Sequence, residues 1–363
     1  MRIIEETQLD FSDLLISPKR SALNSRAEVD LYRDFEWIDG NGKKQTLHCI
    51  PVIAANMASI ATPKIAKILS KRGFMCALEK HLALETLQEL FADMEVIAEK
   101  EGFEKTYYTQ RIAPSIGIKE DPNILNQLNS QHHITTIVLD IPNGYISKFI
   151  DRIKEIHTML PEALIIAGNV VTSDISQDII LNGGHVAKCG IGPGSVCITR
   201  AKTGVGRPQA SAVIECSDAC HQVGGFCCSD GGCTNPGDIV KAFGCGADFV
   251  MLGGMFAGCE EAEGEIVYIN NKPHKAFYGM SSNLAQERHF GGRHKGSTSE
   301  GREKLIPVVG PLSSILDDIE GGIKSAMCYM GAHKIKNIPK CCTFYKVHNQ
   351  LNTVFANCKD IAQ

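Results

Sequence analysis

The sequence predicts a (β/α)8 barrel, an α/β fold in which eight parallel strands alternate with helices. Eight short apolar runs lie between residues 50 and 254, and each ends in glycine or polar residues. Near-continuous apolar runs are typical of strands that are covered on both faces. A doubly wound open sheet is the rival fold. The count of eight and the polar strand ends favour the barrel, which collects its site at the carboxyl ends of its strands.

The predicted strands and helices alternate in order along the chain. The eight strand runs are IPVIAANM (50–57), FMCALEKH (74–81), RIAPSIGI (111–118), TTIVLDIPN (135–143), ALIIAGNV (163–170), HVAKCGIG (185–192), GFCCSDGG (225–232) and ADFVMLGG (247–254). Helical periodicity occupies intervening segments such as TPKIAKILSKR, ISKFIDRIKEIHTML and NPGDIVKAFG, and a closing helix is predicted near LDDIEGGIKSAMCYMGAHK. Without a Pro/Ser-rich linker or a clear repeat, residues 1–363 are interpreted as one domain.

Composition and charge favour small-molecule chemistry. The chain has 363 residues, of which 44% are hydrophobic and 21% charged, and its formal net charge is -4. No long Lys/Arg run occurs, so neither a nucleic acid nor an anionic membrane is an expected partner. The N-terminal MRIIEETQLD lacks the basic start and apolar core of a signal peptide, and no apolar stretch is long enough to span a bilayer. We therefore expect a cytoplasmic protein.

The 15 cysteines are interpreted as reduced thiols, since a cytosolic protein rarely keeps disulfides and an odd number cannot all pair within the chain. No Cys-x-x-Cys occurs. Cys216 and Cys220 are spaced to share one face of a helix, with His221 beside them, but no second pair of ligands accompanies them. Cys227 and Cys228 lie in an apolar run. Buried core cysteines are therefore expected, rather than a structural metal site.

Paired glycines follow the last two predicted strands, at Gly231 and Gly232 and at Gly253 and Gly254. Barrels frequently bind phosphate at these two loops, where glycine lets backbone N–H groups approach the anion. One pair alone would indicate only a tight turn, whereas two pairs at these strand ends favour a phosphorylated ligand. Asp230 precedes the first pair and is suited to accept hydrogen bonds from ribose hydroxyls, which points to a nucleotide.

The loop GIGPGSVCITR (190–200) follows the sixth strand and delivers Cys197. Its three glycines and one proline exclude a regular helix or strand. If the thiol lies near the phosphate pocket, it can attack an electrophilic carbon and form a covalent intermediate. The alternative is one more buried cysteine; the glycine-framed position beside Thr199 and Arg200 favours the nucleophile. The glycine carbonyls of this loop could also coordinate a monovalent cation.

A polar, glycine-rich stretch at 288–302, RHFGGRHKGSTSEGR, is the composition expected of a mobile flap over a site, or of a solvated surface loop. Glu300 is the only acid in it. If this stretch folds over the pocket, Glu300 could transfer protons during catalysis.

These motifs together resemble the IMP dehydrogenase / GMP reductase family over nearly the whole chain, from DFSDLLISPKRSALNSRAEVDL to TFYKV. The segments that carry the resemblance are GIGPGSVCITR, SDGGCTNPGDIVKAFGCGADFVMLGGMFAG, FYGMSS and SEG. Within the family, IAANM, EKH, AGNVVT and the compact length resemble the GMP reductase branch. The resemblance implies that GMP and NADPH give IMP, ammonia and NADP, through a covalent thioimidate on the cysteine.

The resemblance also implies roles for individual residues and a homotetramer. Cys197 is the nucleophile, and Thr199 and Glu300 protonate the departing amine. The other implied sets are substrate contacts at Asp230, Gly231, Gly232, Gly253, Gly254, Met280, Ser281, Ser282 and Gly301; cofactor contacts at Ser25, Arg26, Lys80, Asp140, Ile141, Pro142, Asn143 and Gly192; and a K+ site at Gly192, Gly194, Cys197 and Arg200. Arg26 would suit the 2′-phosphate of NADPH.

The chain departs from the family pattern at a few positions. Ala58 stands where an acid is usual, Pro142 where an alanine is usual, Arg207 where a tyrosine is usual, and Gly296 and Ser297 where the flap usually has a Tyr-Arg pair. Two further hypotheses follow. One is a reductase for a modified 2-aminopurine nucleotide; the other is a nucleotide-binding sensor that has lost turnover.

Overall fold

The computed structural model describes residues 3–279, 282 and 299–348. Its strands are β1 (Leu14–Ile16), β2 (Arg33–Ile38), β3 (Lys44–Cys49), β4 (Val52–Ala54), β5 (Met75–Ala77), β6 (Ile112–Ala113), β7 (Ser115–Ile116), β8 (Thr136–Asp140), β9 (Leu164–Val170), β10 (Val186–Cys189), β11 (Phe226–Asp230), β12 (Phe249–Leu252), β13 (Ile266–Ile269), β14 (Lys272–Tyr278), β15 (Glu303–Pro307) and β16 (Phe344–Lys346). Its helices are α1 (Pro63–Lys71), α2 (Leu84–Lys100), α3 (Thr106–Thr109), α4 (Asn123–Gln131), α5 (Ser147–Met159), α6 (Ser173–Leu181), α7 (Thr199–Thr203), α8 (Gln209–Gln222), α9 (Pro236–Gly244), α10 (Leu312–Met330) and α11 (Ile338–Cys341). Short 3-10 turns occupy Phe11–Asp13, Arg26–Glu28 and Ile335–Asn337.

Strands β4 to β12 form one parallel sheet in the order β6-β5-β4-β12-β11-β10-β9-β8-β7. β6 and β7 are the two halves of a single predicted run, separated by Pro114, which has no N–H to donate to a ladder. β6 pairs with β5, and β7 pairs with β8. The sheet therefore closes on itself through this run, and the predicted (β/α)8 barrel is confirmed, with each of the eight runs contributing a strand.

The helices around the barrel begin where their capping residues predict. The Thr62 hydroxyl accepts a hydrogen bond from the Ile65 amide, and Pro63 occupies the first helical position of α1. At α9, the Asn235 side chain accepts from the Asp238 amide, with Pro236 following it. α5 and α10 coincide with the predicted ISKFIDRIKEIHTML and closing helices. In the described part of the chain, no helix combines the length and the apolar character that a bilayer crossing requires.

The antiparallel hairpin β2–β3 closes the amino-terminal end of the barrel. Phe35 and Leu47 are fully buried, and Trp37 is 6% exposed. These side chains pack with barrel-interior residues such as Ile166 and Phe249 in one apolar cluster. Because the hairpin covers this end, only the carboxyl ends of the strands are left to form the mouth of the barrel.

The cysteines expected in the core are buried. Cys216 and Cys220 on α8 and Cys227 and Cys228 on β11 are all inaccessible to solvent. Burial is the main cause that raises the pKa of the Cys228 thiol above its usual range. Among the described residues, no group of three or more His, Cys, Asp or Glu side chains is arranged to hold a metal ion. The prediction of core cysteines is confirmed for these four residues.

Candidate active site

A pocket of about 470 Å³ lies at the carboxyl ends of the barrel strands. Loops that follow most of the strands contribute to it, as expected for a barrel. Its lining residues are Ala55, Asn56, Met57, Lys80, His81, Lys119, Asp140, Ile141, Pro142, Asn169, Lys188, Gly190, Ile191, Gly192, Gly194, Val196, Cys197, Thr199, Asp230, Gly279, Glu300 and Gly301. The pocket thus brings together the three predicted catalytic residues and part of each predicted binding set.

Three side chains in the pocket form a hydrogen-bonded chain. The Cys197 Sγ atom lies 3.2 Å from Thr199 Oγ1, which donates to Glu300 Oε2 at 2.7 Å. Backbone contacts hold Glu300 in place, since its carbonyl accepts the Ile198 amide at 2.8 Å and Gly301 forms an antiparallel bridge with Cys197. A thiol, a hydroxyl and a carboxylate in series place a nucleophile next to a route for proton transfer.

The loop between β10 and Cys197 owes its course to its glycines. Gly190 and Gly192 have φ angles of +153° and +90°. A Cβ atom on Gly190 would lie 2.2 Å from the Asp230 carbonyl oxygen, and one on Gly192 would lie 2.5 Å from Arg200 Cγ. Any other side chain would therefore displace the neighbouring strand end or the arginine. This close packing holds Cys197 over the pocket.

Lys188, which the sequence analysis did not single out, lies at the centre of the polar network. Its side chain is 1% exposed, and Nζ lies 2.8 Å from Asp140 Oδ1 and 3.2 Å from Asp230 Oδ2. Nζ also donates to Asn169 Oδ1, and Asn169 Nδ2 donates to Asp230 at 2.8 Å. A charged residue within the apolar run HVAKCGIG was the available signal, because a lysine is almost never buried without a partner.

The Lys188 ammonium sets the charge state of its surroundings. Burial acts to lower the pKa of Lys188, but the carboxylates of Asp140 and Asp230 outweigh burial and raise it above the usual range. Burial acts to raise the pKa of Asp140, but Lys188 and Lys80, with hydrogen bonds from Lys188 and Asn56, hold it below the usual range. Lys188 and Asp140 are therefore both charged at neutral pH.

One glycine of each pair, Gly231 and Gly254, packs against the Cys197 loop. Gly231 and Gly232 have φ angles of +88° and +87°, which favour glycine, and a Cβ on Gly231 would lie 3.2 Å from the Gly194 amide nitrogen. A Cβ on Gly254 would lie 2.9 Å from Ser195 Oγ, and one on Gly253 would lie 3.1 Å from Met57 Sδ. The three loops after β10, β11 and β12 therefore converge, as the predicted phosphate site requires.

Some predicted site residues do not line the pocket. Ser25 and Arg26 lie at the exposed 3-10 turn Arg26–Glu28, where Ser25 caps the turn by accepting the Ala27 amide. Asn143 also lies outside the lining, with its side-chain oxygen accepting the Tyr145 amide at 3.1 Å. Ser282 is buried. Met280, Ser281, Gly296 and Ser297, with most of the predicted flap, fall outside the described residues.

Arg200 and Arg207 connect the Cys197 loop to the N-terminal segment. Arg200 Nη1 lies 3.3 Å from Asp10 Oδ2, and its Nη2 donates to the Arg207 carbonyl. Arg207, which departs from the family pattern, pairs with Glu215 at 2.7 Å and donates to the Val171 carbonyl at 3.0 Å. Arg207 therefore fastens the end of the loop to its surroundings and does not point into the pocket lining.

Comparison with known proteins gives consistent matches over nearly the full length. Residues 8–352 match the family model described as the IMP dehydrogenase / GMP reductase domain. The chain is 44% identical over 354 residues to the GMP reductase of Phytophthora infestans, with 98% of this chain and 94% of that protein covered. It is 43% identical over 355 residues to GMP reductase 1 of Homo sapiens and 44% identical over 357 residues to the GMP reductase of Klebsiella pneumoniae, each with 98% of this chain and 99% of the relative covered.

Proposed function

The chain belongs to the IMP dehydrogenase / GMP reductase family, and we propose that it is an NADPH-dependent oxidoreductase that converts GMP to IMP and ammonia in cytoplasmic purine nucleotide salvage. The family that the sequence motifs indicated is confirmed over nearly the whole chain. The observation that carries the proposal is the chain of contacts from Cys197 through Thr199 to Glu300, placed in the same pocket as Asp230.

Cys197 acts as the nucleophile. Carbon 2 of guanine is an amidine-like centre, so the sulfur adds to it, the C2–N bond to the exocyclic amine breaks, and a thioimidate remains on Cys197. The departing amine must gain protons to leave as ammonia. Thr199 Oγ1, held at 2.7 Å by Glu300, is placed to relay a proton to it. When hydride reaches C2, the C–S bond breaks and Cys197 is released with IMP.

Asp230 and the paired glycines are proposed to hold the nucleotide. The Asp230 side chain lines the pocket, and its oxygens can accept hydrogen bonds from ribose hydroxyls. Gly231, Gly232, Gly253 and Gly254 belong to the loops that converge beside it, where backbone N–H groups can bind the phosphate. A nucleotide whose ribose and phosphate are held in this way would direct its base toward Cys197. Met280, Ser281, Ser282 and Gly301 are the proposed contacts to the base.

The residues that would hold the nicotinamide cofactor fit it in part. Lys80, Asp140, Ile141, Pro142 and Gly192 line the same pocket as Cys197, and Lys80 Nζ lies 4.0 Å from Asp140 Oδ2. These groups offer one cationic donor, one anionic acceptor and an apolar wall, which suit an amide-bearing ring and ribose hydroxyls. NADPH supplies hydride when bound. Arg26, proposed for its 2′-phosphate, lies apart from this lining.

A K+ ion bound by the Cys197 loop is also proposed. The carbonyls of Gly192, Gly194 and Cys197, with Arg200 at the edge, are the donors that the resemblance implies. Neutral backbone oxygens are the ligands that K+ takes in proteins. The Gly194 carbonyl accepts the Cys197 amide at 3.0 Å and has a second lone pair for a cation. A cation there would stiffen the loop that positions the thiol.

A homotetramer is proposed as the working assembly. β13 is an edge strand of the three-stranded sheet β13-β14-β15. Its four residues, Ile266, Val267, Tyr268 and Ile269, are 53%, 42%, 71% and 38% exposed. An exposed apolar edge strand is a surface that proteins generally cover. Contact with another copy of the chain would cover it.

The deciding experiment follows NADPH absorbance with purified protein and GMP, with and without K+, and assays released ammonia. We expect GMP-dependent oxidation with equal ammonia release, abolished in Cys197→Ala and retained in the control Cys328→Ala, which alters a partly exposed cysteine on α10. Turnover in Cys197→Ala would refute the covalent role. Turnover of another 2-aminopurine nucleotide with none of GMP would favour the modified-purine reductase, and GMP binding without hydride transfer would favour the sensor.

A further inference from the structure

Asn169 lies near the carboxyl end of β9 and lines the active-site pocket. The pairing of β9 with β10 changes register at this residue. Gly168 pairs with Lys188, and Val170 pairs with Cys189. Asn169 is therefore one extra residue in β9. An irregularity of this kind redirects a side chain relative to the alternation along the strand, and such features are frequent next to active sites.

The packing along β9 shows that the side chain of Asn169 is redirected. Ile166 packs in the barrel interior, and Ala167 packs in the outer apolar cluster that includes the surrounding helices. Strict alternation would continue with residue 169 on the outer side and residue 170 on the inner side. Instead Val170 packs in the outer cluster and Asn169 lines the pocket. The extra residue thus brings an amide group to the mouth of the barrel.

The Asn169 side chain joins two parts of the candidate site. Its Nδ2 donates to the Gly190 carbonyl at 2.7 Å and to Asp230 Oδ2 at 2.8 Å, and its Oδ1 accepts from Lys188 Nζ. These partners fix the orientation of the amide, because two of them accept and one donates. Asn169 therefore links Asp230 to the first residue of the loop that carries Cys197.

The backbone of Asn169 is also held in place. Its N–H donates to the Ile141 carbonyl at 2.8 Å, and its carbonyl accepts the Gly144 amide at 3.0 Å. Both partners lie in the segment that follows β8. The side chain thus extends from a fixed backbone toward β10 and β11, as a group that sets the position of its neighbours requires.

The contacts to Asp230 leave one of its oxygens available for a ligand. Asn169 and Lys188 both contact Oδ2, at 2.8 and 3.2 Å. Among the residues that the structure describes, Oδ1 of Asp230 has no hydrogen-bond partner. Oδ1 can therefore accept from a ribose hydroxyl while Oδ2 stays fixed.

We propose that Asn169 is a positioning residue, which holds Asp230 in a fixed relation to the Cys197 loop so that binding of the ribose hydroxyls places the base at the thiol. The inference rests on the proposed reduction of GMP and adds a residue to it. Asn169 acts through Asp230 and the Gly190 carbonyl, and not on the reacting atoms. The ribose hydroxyls are the ligand groups whose contribution to binding depends on Asn169.

The test compares GMP with 2′,3′-dideoxy-GMP, which lacks both ribose hydroxyls. Calorimetry measures the Kd of each nucleotide for the whole protein without NADPH, so no turnover is required. The ratio of the dideoxy-GMP Kd to the GMP Kd isolates the contribution of the hydroxyls. Asn169→Leu should lower this ratio about tenfold, the effect of losing one well-oriented hydrogen bond.

Steady-state kinetics test the link to the Cys197 loop. At saturating GMP and NADPH, Asn169→Leu should lower kcat by roughly 10²-fold, the effect of misplacing reacting groups by about 1 Å. An unchanged kcat would overturn the link between Asn169 and the position of the thiol.

Asn129→Leu is the matched control. Asn129 is half-buried, as Asn169 is, and its side-chain oxygen accepts the Ile134 amide at 2.9 Å, but it lies on α4 and does not line the pocket. Its Kd ratio and its kcat should equal those of the unaltered protein. If Asn169→Leu does not fold, Asn169→Asp is the second variant. It keeps the size of the side chain and removes the donor, and any effect of its charge on both nucleotides cancels in the ratio.

Two results would count against the proposal in different ways. Equal weakening of GMP and dideoxy-GMP in a folded Asn169 variant would refute the positioning role and leave the proposed function intact. Absence of GMP binding by the unaltered protein would refute the proposed function, and the role of Asn169 with it.

Discussion

The Nζ atom of Lys188 lies 2.8 Å from Oδ1 of Asp140, in a position where only 1% of the lysine side chain is exposed. The same ammonium lies 3.2 Å from Asp230 Oδ2. One buried cation thus fixes two carboxylates, one in the proposed cofactor half of the pocket and one in the proposed ribose half. The geometry of both halves depends on a single side chain at the end of β10.

Lys188→Met should destabilise the protein by about 3 kcal/mol, because it leaves two partly buried carboxylates without their cation. It should also raise the KM for GMP, since Asp230 loses the group that orients it. Urea unfolding measures the free energy of unfolding, and steady-state kinetics measure the KM for GMP. Lys188→Arg, which keeps a cation, should show a smaller change in both quantities than Lys188→Met.

The matched control for this change is Lys241→Met. Lys241 is 5% exposed and pairs with Asp238 at 3.1 Å, but it does not line the pocket. Lys241→Met is expected to lower the free energy of unfolding about as much as Lys188→Met does, and to leave the KM for GMP unchanged. Equal kinetic defects in both variants would mean that Lys188 acts only through stability.

Thr199→Val should lower the kcat for GMP reduction by roughly 10²–10⁴-fold, the usual contribution of a positioned proton-transfer group. The variant keeps the shape of the side chain and removes the hydroxyl that joins Cys197 to Glu300. Thr203→Val, on the same short helix and exposed, is the control.

Glu300→Gln should also reduce the kcat for GMP reduction, because it removes the carboxylate at the end of the same proton path. The double variant Thr199→Val/Glu300→Gln should have a kcat no lower than that of the more damaging single variant, because the two side chains act as a unit. Multiplicative losses in the double variant would contradict a shared proton path.

Gly190→Ala should destabilise the protein and reduce activity more than Gly204→Ala. Both glycines have positive φ angles, +153° and +73°, so each alanine introduces backbone strain, about 1–2 kcal/mol in the left-handed region. A Cβ added at Gly190 would lie 2.2 Å from the Asp230 carbonyl oxygen, whereas a Cβ added at Gly204 would have no neighbouring atom within 4 Å. Thermal unfolding and the KM for GMP measure the difference. Equal effects would mean that close packing at Gly190 is unimportant.

His221 should stabilise the fold in a pH-dependent way. Its hydrogen bond to the buried carboxylate of Asp248, at 2.7 Å, outweighs burial and raises the pKa of His221 above 6.5. A raised folded-state pKa gives stability that is fully present below about pH 6.5 and is lost as the pH rises through the folded-state value.

His221→Gln should therefore lower the free energy of unfolding at pH 6 and have a smaller effect at pH 9. Urea unfolding at both values checks this, with His333→Gln as an unrelated histidine control. An equal effect at both pH values would show that the charge on His221 does not contribute.

Much of the fold was predictable because a buried parallel strand has a simple signature. Runs such as TTIVLDIPN and ADFVMLGG are apolar on both faces and end in polar or glycine residues, and these two became β8 and β12. The third run was harder to interpret, since Pro114 divides it into two short strands that pair with different neighbours. The β2–β3 hairpin, which closes the barrel, was not predicted.

The candidate site was predictable where glycine patterns forced an unusual backbone, and less so where contacts join distant segments. Cys197 and the glycine pairs after β11 and β12 were found from composition alone. Ser25 and Arg26 match the family pattern but lie outside the pocket lining of this chain. Lys188 was missed although it is a charged residue within an apolar run, and that local signal does not show which carboxylates it contacts.

The sequence by itself therefore determined the barrel, the loop that carries the thiol and the family, because periodicity and backbone requirements are local and are written in consecutive residues. The tertiary structure alone decided that Glu300 meets Thr199 across 101 positions, that Lys188 joins Asp140 to Asp230, and that Asn169 joins Asp230 to Gly190. These relationships depend on how strands and loops converge in space, and no local pattern of residue types encodes that convergence.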